Sequence, residues 1–460
     1  MSKKIAIFGG SFNPPGIHHK RIVEMLTRHF DEVIVIPCGP RPDKETTNDV
    51  EPIHRAVMAD LTFGNMPKVN VMLFDLEQAT FTRTHKLDEM LRDQGDVWHV
   101  VGTDLIEGGK NGTSFVQTRW MHGQRVWKEL RYAILPREGY AVDSADLPPN
   151  NKVFKTTREG SSSEIREGLF KHQSINDLVV PEVARYIDRY MLYRGRIPVR
   201  CAPFTKVEPR LLVVADKYSA EAGRVASELE EFSVGEDNPN MIAVIGGDGT
   251  MLHTIRREWR RRLPFFGINT GQRGFLLNNV KDDIRKALSK EQLVVRQLPL
   301  LYVEFVLGSG EKKYGLAFND AWVERSSGQS AWLQIKVNGT MRISKMVGDG
   351  ILLATMPGST AYARAMGAIP LSEDSSDLVL VGSNVMEPLR WKSANLPYNS
   401  EVDIKTLDGS KRPIEAFVDG VSYGEVVSMK ARLSRIASTE LVFSPHHDIA
   451  EKRLQIQFNQ

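Results

Sequence analysis

Short apolar runs alternate with helix-period segments along the first half of the chain. Residues 5–8, 33–37, 69–73, 97–101 and 132–135 have the composition of buried strands. Between and after them, 18–30, 54–63, 84–93, 120–130 and 181–193 carry the spacing of amphipathic helices. A strand, a glycine loop, a helix and a second strand by residue 37 make a βαβ unit. The pattern therefore predicts an α/β fold with a doubly wound parallel sheet, which binds ligands beyond the carboxyl ends of its strands. Gly9 to His19 and Gly102-Thr103-Asp104 fall at such ends.

The rhythm restarts after 195–208, a stretch with two prolines, a third just beyond it at Pro209, and little periodicity, which reads as a linker. A strand at 211–215, a helix to about 232, a strand at 242–245 and a helix opening at Thr250 follow, with another strand and turn at 265–271. From 296 the texture changes to short β segments at 301–307, 332–337, 350–354, 402–405 and 414–418. The expected organisation is a first domain at 1–194 and a second at 209–460. The second divides into an α/β lobe (209–295) and a mainly β lobe (296–445).

Composition adds bounds. A chain of 460 residues is too long for one ordinary core. Apolar content of 41% and charged content of 25% are those of a globular protein. Cys38 and Cys201 have no metal-type spacing and read as reduced thiols of a cytoplasmic protein. No apolar run approaches membrane-spanning length, and the run behind Met1-Ser2-Lys3-Lys4 breaks at Gly9-Gly10, so it reads as a strand rather than a leader. The net charge of +3 decides nothing, and no recognisable module or aromatic–basic interleaving points to nucleic acid. The basic run from Arg256 to Arg262 reads as a solvated helix end.

The chemistry concentrates in glycine-rich turns. Gly246-Gly247-Asp248-Gly249-Thr250 joins a strand to a helix, where free N–H groups and the helix dipole favour phosphate. A carboxylate is out of place beside phosphate unless it holds a metal or takes a proton from a hydroxyl; the plain alternative is a tight turn with a helix-start aspartate. In the first half, Gly10-Ser11-Phe12-Asn13-Pro14 follows strand one with His19 just beyond, and Ser161-Ser162-Ser163-Glu164-Ile165-Arg166 offers a helix cap and a phosphate-clamping arginine.

The last two motifs together resemble the nicotinamide-nucleotide adenylyltransferases, with patterns G-S-F-[DN]-P-x-[HT]-x-x-H and S-S-T-x-I-R, over roughly residues 3–194. The resemblance implies a nucleotidyltransferase fold, with His19 stabilising charge at the α-phosphate of ATP and Arg166 the leaving phosphates. It places Gly10, Ser11, Phe12, Asn13, Ser161, Ser162 and Ile165 around the nucleotide. Gly102 and Asp104 would meet the adenosine, and Trp120 resembles in spacing a tryptophan near the nicotinamide ring. Gly16 stands where the pattern has His or Thr, so one phosphate ligand is missing, and Ser163 stands for Thr.

The second half resembles the NAD kinases over about 209–445. The resemblance rests on Gly-Gly-Asp-Gly-Thr, Asn269-Thr270-Gly271 with Gly274-Phe275-Leu276, Asn319-Asp320, Gly348-Asp349-Gly350, Thr355 to Tyr362, and Asp419-Gly420. It implies that Asp248 is the general base for the adenosine 2′-hydroxyl. Gly246, Gly247, Gly249 and Thr250 would take phosphate, and Asn319 and Asp320 the ribose hydroxyls. Asp349, Thr360, Ala361 and Tyr362 would line the dinucleotide pocket. Asp320 replaces the family Glu, and Arg273 sits where Leu is usual. Together the two resemblances imply an enzyme that joins NMN, or else nicotinate mononucleotide, to AMP from ATP, and then phosphorylates NAD to NADP with Mg2+. A homo-oligomer is expected. The alternative is a kinase alone, with a first domain that binds nucleotide without turning it over.

Overall fold

The computed structural model describes residues 2–41, 49–137, 143–155, 160–195, 200–204, 208–271, 274–279, 284–290 and 292–444, with 447, 452 and 458. The chain divides into two compact units, Met1–Val199 and Arg200–Gln460.

The first unit is built on six strands: β1 (Lys4–Gly10), β2 (Glu32–Pro37), β3 (Val69–Val71), β4 (Asp96–Gly102), β5 (Arg131–Leu135) and β6 (Asn151–Val153). Their order is β3-β2-β1-β4-β5-β6, and every pairing is parallel. Burial of Ile5, Ala6 and Ile7 on β1 and of Val33 to Ile36 on β2 is what a sheet covered on both faces requires. Fully burying each such Val or Ile side chain stabilises the fold by about 1.5–3 kcal/mol. The strand order reverses between β1 and β4, so their carboxyl ends open a crevice.

Two predicted helices differ. The stretch predicted as one helix at 120–130 forms two short ones, Phe115–Arg119 and Gly123–Glu129. Ser114 and Gln117 cap the first reciprocally, and His122 turns left-handed at φ 58°, which leaves Trp120 extended between them. The helix predicted at 181–193 ends at Tyr190, because Met191 is left-handed at φ 55°.

The second unit holds a ten-stranded mixed sheet and a six-stranded antiparallel sheet. Leu211–Ala215, Met241–Gly246 and Phe265–Asn269 lie side by side in parallel, as the sequence pattern predicts. The strand Ser428–Phe443 pairs parallel with Phe265 and Phe266 near its end and antiparallel with Val402–Thr406 near its start. One strand thus serves both lobes. The second sheet runs Ser393–Leu396, Leu378–Ser383, Gly350–Ala354, Asp320–Arg325, Ile414–Val418, Val421–Val426. Val303, Leu333 and Ile335 of the first sheet pack with Val323, Leu353 and Ala416 of the second in one apolar core. Within the stretch read as a linker, Cys201–Pro203 pairs with the strand Val294–Val306. Among the described residues no helix is long and apolar enough to cross a membrane.

Candidate active sites

In the first unit β1 ends at Gly10 and the chain turns through Ser11, Phe12 and Asn13. Phe12 is left-handed at φ 42°, a conformation that costs a non-glycine residue about 1–3 kcal/mol. Packing holds it there: its buried ring meets Phe8, Phe63 and His19 edge-on, with centroids 5.4, 5.4 and 5.1 Å away.

Arginines secure the carbonyls of this loop. Arg55, buried on the helix Pro52–Phe63, donates Nε and Nη2 to Ser11 O at 3.0 and 2.6 Å, and Nη2 to Cys38 O at 2.6 Å. Burial lowers the proton affinity of the Arg55 guanidinium and pushes the Cys38 thiol up. Arg166 donates Nη1 to Asn13 O at 2.7 Å and Nη2 to Ser163 Oγ at 3.2 Å, with its Nε 3.5 Å from the Asp49 carboxylate. Ser162 Oγ donates to Pro14 O at 2.8 Å, and the Tyr193 hydroxyl donates to Asn13 Oδ1 at 2.5 Å. Ser161 caps the helix Ser162–Phe170 by accepting from the Glu164 N–H at 3.1 Å, and Ile165 is buried beneath. Two motifs about 140 residues apart in the sequence are therefore one structure.

His19 lies in the first turn of the helix Ile17–Thr27, and its Nδ1 accepts from the Gly16 N–H at 3.0 Å. That hydrogen bond assigns the proton of a neutral ring to Nε2. A cavity of about 530 Å³ opens at the ends of β1, β2 and β4, lined by Gly9, Gly10, Cys38, Val101, Arg119 and Trp120 among others. Its size suits a small-molecule ligand. Arg166 lines a second cavity, of about 370 Å³, with Asp49, Lys171 and Tyr193. Gly102 ends β4, and the carboxylate of Asp104, two residues on, is held by the Arg137 guanidinium, so the group expected at the adenosine already has a cationic partner.

In the second unit Gly247 caps the helix Asp248–Glu258, so Asp248, Gly249 and Thr250 form its first turn. Both oxygens of Asp248 accept backbone hydrogen bonds at 3.0 Å, Oδ2 from Phe275 and Oδ1 from Leu276. The carbonyls flanking those amides are held in turn by Lys452, whose Nζ donates to Gly274 O at 2.7 Å and Leu277 O at 2.9 Å. Burial pulls the Lys452 ammonium down to about 8, with Asp248 opposing.

The other end of this helix reaches the residues expected at the ribose. Arg256 Nη2 donates to Asp419 O at 3.1 Å. Asp419, left-handed at φ 44°, accepts from the N–H groups of Phe318 (2.8 Å), Asn319 (2.8 Å) and Asp320 (3.2 Å). Asn319 and Asp320 are buried, and Asn319 Oδ1 has no hydrogen-bond partner among the described residues. Burial and the neighbouring Asp419 push the Asp320 carboxyl up to about 7. Gly358 packs so closely that a Cβ there would lie 2.0 Å from Asn319 O, and Thr355 Oγ1 donates to Phe318 O at 2.7 Å. The turn holding Thr360 and Ala361 is thereby fixed against Asn319. Tyr362 is 40% exposed and meets Trp322 edge-on at 5.2 Å. Asp349 accepts from Asn384 Nδ2 and Arg325 Nε, both at 2.6 Å, and these donors hold its carboxyl below the usual range.

The basic run is a solvated helix end only in part: Arg257, Arg260 and Arg261 are exposed, while Arg256 and Arg262 are half-buried and bound. Arg256 serves the Asp419 turn, Arg257 and Arg261 flank Glu258, and Arg262 donates to Ile436 O at 3.0 Å. Sequence reading gave no role to Arg55, Tyr193, Arg256, Asp419 or Lys452. A single cation donating to carbonyls leaves no pattern, although Asp419 had a signal in its Asp-Gly turn. Arg273 lies outside the described residues.

Residues 7–168 match the family model for cytidylyltransferase-like proteins, and residues 216–292 that for the ATP-NAD kinase N-terminal domain. An NAD kinase of Cereibacter sphaeroides is 34% identical over 218 residues, 47% of this chain and 85% of that protein. An NAD kinase of Rickettsia bellii is 32% identical over 223 residues, 48% of this chain and 87% of its own. Yeast NADH kinase, solved in complex with NADH, is similar at 16% identity and a TM-score of 0.47, over 56% of this chain and 94% of that one.

Proposed function

We propose, for a chain that belongs to the NAD kinase family and carries a cytidylyltransferase-like domain in its first half, that it makes NADP in two steps. The first unit joins NMN to AMP from ATP and releases pyrophosphate; the second transfers a phosphoryl group to the adenosine 2′-hydroxyl of NAD. The observation that carries the first step is the closure of the Ser11–His19 loop on the Ser161–Arg166 motif through Arg166 and Ser162.

Adenylyl transfer needs no protein nucleophile. A phosphate oxygen of the mononucleotide attacks the α-phosphorus of ATP, and the bond to the pyrophosphate oxygen breaks. The protein positions the two and stabilises charge. His19 Nε2–H would donate to an α-phosphate oxygen, Arg166 would face the leaving phosphates, and Trp120 would meet the pyridine ring in the larger cavity. In the second unit a hydroxyl must lose its proton as it attacks, and Asp248 would accept it, while Asn319 and Asp320 hold the ribose. Magnesium is expected with the ATP phosphates. Among the described residues no three His, Cys, Asp or Glu side chains converge as a metal site, so no step is assigned to a protein-held ion.

The pairing of activities favours NMN over nicotinate mononucleotide, because only the amide yields a product the kinase can use directly, at a concentration raised by the tether. Full chain with NMN, ATP and magnesium should yield pyrophosphate and then NADP. NADP only when NAD is added would leave a kinase alone. A kcat/KM for the acid exceeding that for the amide by more than about 100-fold would overturn the choice of substrate.

A further inference from the structure

Resting on the adenylyl-transfer reading above, we propose that His18 supplies the phosphate ligand that Gly16 lacks, so that the imidazoles of His18 and His19 act as a pair on the bound phosphates. The adenylyltransferase pattern puts His or Thr at position 16, and by sequence the ligand is simply gone. The backbone does not explain the glycine: Gly16 has φ −101° and ψ 170°, open to any residue. Space explains it. A Cβ on Gly16 would lie 2.6 Å from both Nδ1 and Cε1 of His18 and 3.0 Å from Ile165 Cδ1. The His18 ring thus stands where a side chain from position 16 would begin.

Its surroundings are those of the candidate site. The His18 and His19 centroids are 3.9 Å apart, and both side chains are largely buried, at 6% and 8% exposure. A Cβ on Gly160, the residue before the Ser161–Arg166 motif, would lie 3.4 Å from His18 Nδ1. The ring therefore sits between the two motifs that close on each other, in the first turn of an 11-residue helix whose positive end favours an anion. An imidazole N–H there donates to a phosphate oxygen and stabilises charge as pyrophosphate leaves; it forms no covalent bond and need not give up its proton.

The test measures pyrophosphate release from NMN and ATP by the full chain, with NADP formation from added NAD and thermal unfolding as controls. His18→Ala should lower kcat/KM for adenylyl transfer about 100-fold, the usual loss for one charge-stabilising donor, with NADP formation unchanged. His18→Gln, which keeps an N–H donor, should retain more than His18→Ala. The decisive variant is Gly16→His combined with His18→Gly, which returns the imidazole to the pattern position and removes the ring that blocks it. It should exceed His18→Gly alone by at least about tenfold, an outcome that a packing role for His18 does not give. Adenylyl transfer by His18→Ala within about threefold of wild type, or no recovery in the double variant, overturns the inference and leaves the two-step reading standing. No pyrophosphate from the wild-type chain with NMN or nicotinate mononucleotide overturns both.

Discussion

Both units hold a glycine-rich loop at the end of a parallel strand, but cations on carbonyls brace the first site, whereas the second adds carboxylates on backbone amides. In the first, Arg55 and Arg166 donate to the carbonyls of Ser11 and Asn13. In the second, Asp248 accepts from the amides of Phe275 and Leu276, and Asp419 from those of Phe318, Asn319 and Asp320. The difference follows the nucleophile each proposed reaction needs. A mononucleotide phosphate is already ionised, so a loop braced by cations suits it and no base is required. A ribose hydroxyl must be deprotonated, so the second site needs carboxylates and must orient them by hydrogen bonds to backbone amides.

Asp248→Asn gives the sharpest break in this contrast. The amide can keep one oxygen acceptor but cannot take the hydroxyl proton. Kinase turnover should fall about 10²–10⁴-fold, with pyrophosphate release from NMN and ATP untouched. A variant that still makes NADP from NAD at near wild-type rate would show that the second site does not need its carboxylate as a base.

Arg166→Ala should do the reverse, lowering adenylyl transfer about 10²–10³-fold and sparing the kinase. Because Arg166 also braces Asn13 O, a rise in KM for both nucleotides with kcat preserved would reassign it from charge stabilisation to loop support.

Lys452 tests whether a cation matters behind the Asp248 carboxylate. Lys452→Met removes the donors to Gly274 O and Leu277 O and so loosens the amides that orient Asp248. A loss of about tenfold in kinase kcat, at unchanged KM for NAD, is expected from misplacing the base by a fraction of an ångström. Lys452→Arg should recover part of it. Equal kcat for the Met variant and wild type would separate Asp248 from this brace.

The frame that carries this contrast is legible in the sequence. The alternation of apolar runs gave the parallel sheet of the first unit, and Gly246 to Thr250 marked a strand-to-helix turn, because strands buried on both faces and glycine turns leave local marks. What stayed hidden is what acts across distance. Arg55 and Lys452 donate to carbonyls, which every residue has, so no residue type at a fixed spacing reveals them. Trp120 fell in a helical pattern that Ser114 and His122 interrupt through capping and a left-handed turn. Position 16 misled most: the sequence registers a missing histidine, and only space-filling locates His18 in its stead.

The smallest effect is one of stability, and it separates the two carboxylates of the second site. Burial pushes the Asp419 carboxyl up although three backbone donors oppose the shift, whereas burial and the neighbouring Asp419 push the Asp320 carboxyl from the ordinary 3.8 up to about 7. The sign follows from proton counting. Between those two values the folded protein binds more protons at this site than the unfolded chain, so stability falls as pH rises through the interval. Below about 4 both states are protonated and the term vanishes; above about 7 it has reached its full size. Asp320→Asn removes the ionisation and keeps the shape. The variant's gain in melting temperature over wild type should therefore grow from near zero at pH 4 to a plateau by pH 8. A gain that is flat across this range would mean that Asp320 does not change charge there. A gain that shrinks with rising pH would mean that Asp320 is favoured as a carboxylate, held by donors that outweigh its burial.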